Sequence, residues 1–291
     1  MGTIKKILRV FPRKTSYTPN DPFVFIGSPI MPELLPEHDE IHISCTFTWD
    51  MDYCEQLKRE WEWTTNEEVK LGGPAYYSSA NEFVPGLYVR EGVVFTSRGC
   101  NNHCKWCGVR KIEGLLRELP VYPGNIIQDN NFLQTSRNHK DDVFEMLKSQ
   151  RQIEFKGGLE TDLIDDHFIV GLQSIGIKKI KSLWLACDTD NQLPRFKNAV
   201  EKLHKAGFNQ EKIFCYSLIG HDMEKEEIRN REIFNSGALP FSQLERDFSR
   251  TKTQYPKEWN EFERMWQRPA AMKAHMKQVN KTVINNFIIY K

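Results

Sequence analysis

Gly92-Val93-Val94-Phe95-Thr96-Ser97-Arg98-Gly99 leads directly into Cys100-Asn101-Asn102-His103-Cys104-Lys105-Trp106-Cys107. A β-branched, apolar run followed by a Ser-Arg-Gly turn reads as a strand that hands the chain to a loop. The loop carries three cysteines at C-x3-C-x2-C spacing, and three thiolates on one short loop suit a single metal centre. Cubane [4Fe–4S] clusters normally use four cysteines. No fourth cysteine follows within reach, so a cluster held by Cys100, Cys104 and Cys107 would leave one iron open. The spacing also admits a zinc knuckle completed by His103, or three unrelated buried thiols.

Working outward toward the C-terminus, strand and helix patterns alternate. Strands are expected at Val93–Thr96, Asn125–Gln128, Ile153–Lys156, Ser182–Cys187, Lys212–Leu218 and Ala238–Leu244. Between them, helices are expected at Lys140–Gln150, Asp165–Gln173, Pro194–Lys205 and Met223–Asn235, the last charged and solvent-facing. Such alternation implies a parallel sheet, and Pro240 suits an edge strand. The tail from Phe248 reads as one or two helices carrying Trp259, Phe262, Trp266 and Met272. Ligands of parallel α/β folds meet the carboxyl ends of the strands. Those ends hold Asp129, Asn130 and Asn131, then Gly157-Gly158-Leu159-Glu160, then Asp188, then Ile219-Gly220. Asp129 and its neighbours serve equally well as an Asx-type turn, and Gly157-Gly158 reads as a tight turn that lets backbone approach a ligand.

Toward the N-terminus the pattern is weaker. Prolines at 12, 19, 22, 29 and 32 forbid a long helix over residues 1–40, which read as an extended segment over the domain surface with one short strand at Phe23–Gly27. Ile41–Phe47 reads as a strand. A helix is expected over Asp50–Trp63, with Asp50 as N-cap and Tyr53, Leu57 and Trp61 on one face. Val69–Pro74 reads as a strand ending in a turn.

The chain has 291 residues, 40% hydrophobic and 27% charged, with a net charge of +1. These values are ordinary for a globular protein and give no indication of a uniform nucleic-acid surface. No apolar run is long enough to span a bilayer, and Met1 to Arg13 lacks a signal-peptide core, so a cytoplasmic protein without membrane partners is expected. Seven cysteines, three of them clustered, fit a reducing compartment.

The cysteine spacing, with Trp106 just before the last cysteine, resembles the radical S-adenosylmethionine (radical SAM) superfamily. The resemblance implies an α/β fold built as a partial (β/α)6 TIM-like barrel over residues 84–247. A small N-terminal αβ cap would occupy residues 1–83 and a helical tail 248–291. It also implies a [4Fe–4S] cluster on Cys100, Cys104 and Cys107 whose open iron chelates S-adenosyl-L-methionine, reductive cleavage to a 5′-deoxyadenosyl radical, and an electron donor such as flavodoxin or ferredoxin. Gly157, Gly158 and Glu160 resemble the Gly-Gly-Glu motif that holds the SAM amino group, with Leu159 inserted. Ile219 and Gly220 resemble the apolar turn under the adenine, and Trp106 resembles the residue whose backbone reads the adenine edge. Asp129, Asn131 and Asp188 are candidate ribose or substrate contacts. Residues 41–74 look like a remnant of a cobalamin-binding domain, but no Asp-x-His-x-x-Gly motif is present. Cobalamin-dependent methyl transfer and a non-catalytic zinc- or cluster-stabilised module are the alternatives, and the substrate is open.

Overall fold

A computed structural model describes residues 5–77 and 83–289, with side chains described up to residue 279. The chain is a mixed α/β protein with parallel sheets and, among the described residues, eight α-helices. Two compact units compose it: residues 1–130 with 246–253, and residues 131–245 with 254–291.

The first unit opens with β1 (Ile7–Phe11), β2 (Val24–Ile26), β3 (Glu40–Ser44), α1 (Met51–Thr65) and β4 (Val69–Gly72). The strands form a parallel sheet in the order β2-β1-β3-β4. Residues 5–40 are therefore not an extended surface segment. They supply two strands, and the prolines fall in the connections, where a missing N–H costs no ladder bond. Period-two alternation puts Leu8, Val10, Ile41, Ile43 and Val69 into one core with Cys54, Leu57 and Trp61 of α1. The buried face of the helix thus runs through Cys54 rather than Tyr53, which is 39% exposed. Trp61 buries its whole ring and donates Nε1–H to the Gly27 carbonyl at 3.0 Å, so the indole's one polar group is satisfied.

The opposite sheet face is polar. Arg9, His42 and Lys70 stand in register across β1, β3 and β4. Buried Arg9 donates to the carbonyls of Gly86 and Leu87 and pairs with Asp21, which satisfies a charge that burial would otherwise make costly. Glu40 gathers Lys5, Lys70 (2.9 Å) and His42 (2.7 Å). Hydrogen bonds from these groups, Lys5 first, hold its carboxyl down to about 2. A depressed folded pKa contributes stability above the ordinary 4.5 and loses it as pH falls toward 2. The melting-temperature gap between the wild type and Glu40→Gln should therefore be constant above pH 5 and close below it. A gap that widens on acidification would contradict the assignment.

β5 (Val93–Val94), β6 (Ser97–Arg98), α2 (Val109–Ile112), β7 (Arg117–Glu118) and β8 (Ile126–Ile127) complete this unit. β5 and β8 pair in parallel and β6 and β7 antiparallel. The first expected strand, Val93–Thr96, is thus shortened to Val93–Val94, and Ser97–Arg98, expected as part of a turn, forms the separate strand β6.

The second unit alternates α3 (Arg137–Lys148), β9 (Ile153–Leu159), α4 (Asp166–Ile175), β10 (Ile180–Ala186), α5 (Leu193–Lys205), β11 (Ile213–Ile219), α6 (Met223–Asn235) and β12 (Leu239–Leu244). β9, β10, β11 and β12 are parallel neighbours in that order, and Pro240 lies in edge strand β12, where its missing N–H costs nothing. Packed phenylalanines 132, 144, 155 and 168 fill the space between β9 and helices α3 and α4. α6 departs from the solvent-facing expectation. It buries Glu226, Arg229, Asn230 and Ile233, and the polar members are partnered: Asn230 with Ser242 (2.9 Å), Arg229 with Ser217 and Asp190. The tail forms α7 (Lys257–Gln267) and α8 (Pro269–Ile289). Trp266, Met272 and Met276 bury against Leu239 of β12. Among the described residues no helix is long and apolar enough to cross a membrane.

Candidate functional site

The cysteine loop springs from β6 and returns through α2 to β7, and the chain fixes both ends. Gly99 donates its N–H to Asn130 Oδ1 (2.9 Å), Cys100 donates to the Gly114 carbonyl (3.2 Å), and Leu116 donates to Asn101 Oδ1 (3.3 Å). Gly99 has φ +82°, and a Cβ there would stand 2.2 Å from the Leu115 carbonyl oxygen. Glycine is required on both counts. Gly99→Ala should spring the base of the loop and cut metal retention after reconstitution several-fold, with little change in far-UV circular dichroism. Unchanged metal content would show that the loop base does not position the thiols.

Inside the loop, Cys107 N–H closes a turn onto the Cys104 carbonyl (3.2 Å), and Asn102 N–H points at Cys100 Sγ (3.4 Å). That contact orients the Cys100 side chain within the loop. Arg110 donates to the Cys100 carbonyl (3.2 Å), while Arg98 pairs with Glu113 (2.8 Å), which Arg117 also contacts. Both loop arginines therefore act on the chain itself. The ring of Phe248 lies over Gly108, where any Cβ would meet it at 2.3 Å.

All seven cysteines are thiols outside disulfides, and they divide by burial. Cys104 and Cys107 are exposed and Cys100 half-buried, whereas Cys45, Cys54, Cys187 and Cys215 are buried. Burial pushes the Cys187 thiol up to about 12 and raises Cys215 as well. Cys54 is raised by its hydrogen bond to Cys45 and by burial. Cys54, Cys187 and Cys215 are thereby held as neutral, inert thiols. The loop three are the accessible soft donors. They share one loop without meeting at one point: among the described residues no group of three or more His, Cys, Asp or Glu side chains is close enough to hold a metal ion.

The strand-end residues take distinct roles. Asp129 is fully buried, and its carboxylate accepts from Thr96 N–H (2.6 Å), Thr96 Oγ1 (2.6 Å) and Ser97 Oγ (2.7 Å). It latches the chain after β5 to the end of β8, a long-range tie rather than the alternative of a local Asx-type turn. Asn131 and Glu160 do come together. Asn131 Nδ2 (2.8 Å) and Gln134 Nε2 (2.9 Å) both donate to Glu160 Oε2, which fixes the carboxylate and leaves Oε1 available.

Gly157 and Gly158 are not a turn after the strand; they lie inside β9. The ladder to β10 is irregular there, pairing Phe155 with Leu183 and Leu159 with Leu185. A glycine bulge, with Gly158 at φ +86°, absorbs the excess residues. Asp188 accepts from Leu218 N–H (3.1 Å), tying the end of β10 to β11. Ile219 is buried, and Gly220 donates its N–H to Glu226 (3.0 Å), which also accepts from His221 (3.1 Å).

Gln134 and Glu226 were not singled out from the sequence. Their only signal is position, Gln134 three residues beyond Asn131 and Glu226 in the first turn of α6. Cys100, Cys104, Cys107, half-buried Trp106 and Asp129 belong to the first unit. Asn131, Gly157, Gly158, Glu160, Asp188, Ile219 and Gly220 belong to the second. A scan against protein-family models finds no match, and a search of curated proteins finds no similar sequence.

Proposed function

We propose that the chain is a radical SAM enzyme in which Cys100, Cys104 and Cys107 hold a [4Fe–4S] cluster and the open iron binds S-adenosyl-L-methionine. The observation that carries this reading is the loop itself. Three accessible thiols at C-x3-C-x2-C spacing follow the short antiparallel strand β6, itself a continuation of parallel strand β5, on an excursion pinned at both ends, with an amide directed at one sulfur. The donor set fits an iron–sulfur cluster, since soft thiolates select it. Cys104 and Cys107, being exposed, have room to close on the metal as it binds. When bound, the reduced cluster supplies the electron that cleaves the sulfonium to a 5′-deoxyadenosyl radical.

The remaining roles belong to the chain. Glu160, its Oε2 held by Asn131 and Gln134, offers Oε1 to the SAM ammonium. The bulge at Gly157 and Gly158 bares backbone for close approach. Asp188 stands for the ribose, the Ile219–Gly220 turn braced by Glu226 for the adenine face, and the Trp106 backbone for its edge. Asp129 supports this set as a latch. The alternation of strands and helices is what six steps of a partial barrel would give, and a flavodoxin or ferredoxin is the electron donor such chemistry needs.

SAM binding by equilibrium dialysis tests the reading. Protein reconstituted anaerobically with iron and sulfide should bind SAM, and metal-free protein should bind it at least tenfold more weakly. Tight zinc as purified, no iron uptake and no SAM binding would instead mark a zinc-stabilised module.

A further inference from the structure

A cavity of about 440 Å3 lies within the first unit, at the carboxyl ends of β1, β3 and β4. Open parallel sheets bind ligands at this end, and the volume falls in the range of small-molecule sites. One wall is α2, the helix that follows Cys107 in the chain, through Val109 and Ile112. Rings dominate the rest: Phe11, Tyr17, Phe47, Tyr88 and Phe95.

The charges lining the cavity cancel. Arg13 pairs with Asp50, and Arg98 pairs with Glu113 while lying 4.1 Å over the Phe95 ring. Neutral walls of this kind give a charged ligand no compensating partner.

Hydroxyls and amides, among them Ser44, Thr46, Gln128 and Asn130, make up most of the remaining polar lining, and one acceptor stands out. Asp50 stands at the N-cap of α1, yet its side chain makes no cap bond. It is 2% exposed, and while Oδ1 takes Arg13, buried Oδ2 has no hydrogen-bond partner. An orphaned buried carboxylate oxygen is costly unless something supplies a donor. The Tyr88 hydroxyl, also in the lining, lies 2.5 Å from His42 Nδ1, and His42 Nε2 lies 2.7 Å from Glu40.

We propose that this cavity is the substrate site, and that it takes a neutral, planar heteroaromatic molecule presenting an N–H donor to Asp50. The assignment of the ligand as substrate rests on the radical SAM reading; binding itself does not. The aromatic lining favours a flat molecule, cancelled charge favours a neutral one, and the unpartnered Asp50 Oδ2 favours a donor over an acceptor. Among the described residues the lining contains no histidine to ligate a corrin cobalt.

The test is equilibrium binding to the full-length, metal-free protein, so its outcome is independent of cluster assembly and SAM cleavage. Indole, N-methylindole, quinoline and naphthalene-2-sulfonate serve as probes, with hydroxocobalamin as a further arm. Indole should bind saturably and N-methylindole about tenfold more weakly, since one buried hydrogen bond to a charged acceptor is lost. The anion should not bind. Asp50→Asn keeps the shape but can turn an amide donor toward the ligand; it should weaken indole about tenfold and strengthen quinoline. Ser44→Phe, which fills the cavity from the end of β3, should abolish indole binding at an unchanged melting temperature. Equal binding of indole and N-methylindole, no saturable indole binding, indole binding unaffected by Ser44→Phe, or stoichiometric hydroxocobalamin binding would each overturn the proposal.

Discussion

Cys104→Ala is expected to leave the reconstituted protein colourless, with iron and sulfide near background, while the wild type takes up the complement of one cubane cluster. With three protein ligands there is none to spare, and two thiolates cannot hold the cluster against chelation. Cys100→Ala and Cys107→Ala should behave alike. Cys187→Ala and Cys215→Ala are the controls, because their buried thiols stay protonated and do not reach solvent metal. They should keep the cluster and lose only what a small cavity costs, about 1 kcal/mol of stability. Iron retention by the Cys104 variant equal to wild type would remove the loop from the cluster assignment.

The second large effect is on stability. Asp129→Ala should cost about 3–5 kcal/mol, since it strands a buried amide and two buried hydroxyls whose individual penalties run about 1–3 kcal/mol. Against a total stability of about 5–15 kcal/mol this is a severe loss, visible as a large drop in the urea midpoint. The pH dependence has a definite sign. Burial raises the folded pKa of Asp129 above the ordinary 3.8 despite the hydrogen bonds it accepts. Its contribution is thus fullest below 3.8 and declines as pH rises through the folded value. Asp129→Asn should remove that slope, and a slope persisting in this variant would mean another group carries it.

Much of the second unit was legible because its signals are local. Strands at 153, 182, 213 and 239 are bounded by glycines and by helices of clear period, and they appear within a few residues of where periodicity puts them. β1 was hidden for a physical reason. Ile7-Leu8-Arg9-Val10-Phe11 is buried on both faces, so it shows no alternation, and its one charge, Arg9, is buried with partners far along the chain. Gly157-Gly158 carries the same composition as a turn; only the β10 ladder makes it a bulge. The polar face of α6 mimics a solvent-facing helix because its partners Ser217, Asp190 and Ser242 come from other elements.

The candidate site divides in the same way. The cysteine loop is contiguous and could be read directly. Asp129 was correctly placed at a strand end, but whether such a carboxylate faces a ligand or its own backbone depends on Thr96 and Ser97, which lie far from it in sequence. The cavity draws on residues from Phe11 to Asn130, and no local pattern announces it. Glu40 and His42, two apart on the polar face of β3, were the one trace of the contacts behind Tyr88.

The most direct test of the central claim is reductive cleavage of SAM. Anaerobically reconstituted protein is incubated with dithionite and SAM, and 5′-deoxyadenosine is quantified by liquid chromatography and mass spectrometry. The account predicts 5′-deoxyadenosine formation that requires both reductant and SAM and is absent from Cys104→Ala. Fully cluster-loaded wild-type protein that forms no 5′-deoxyadenosine above the Cys104→Ala background would contradict it.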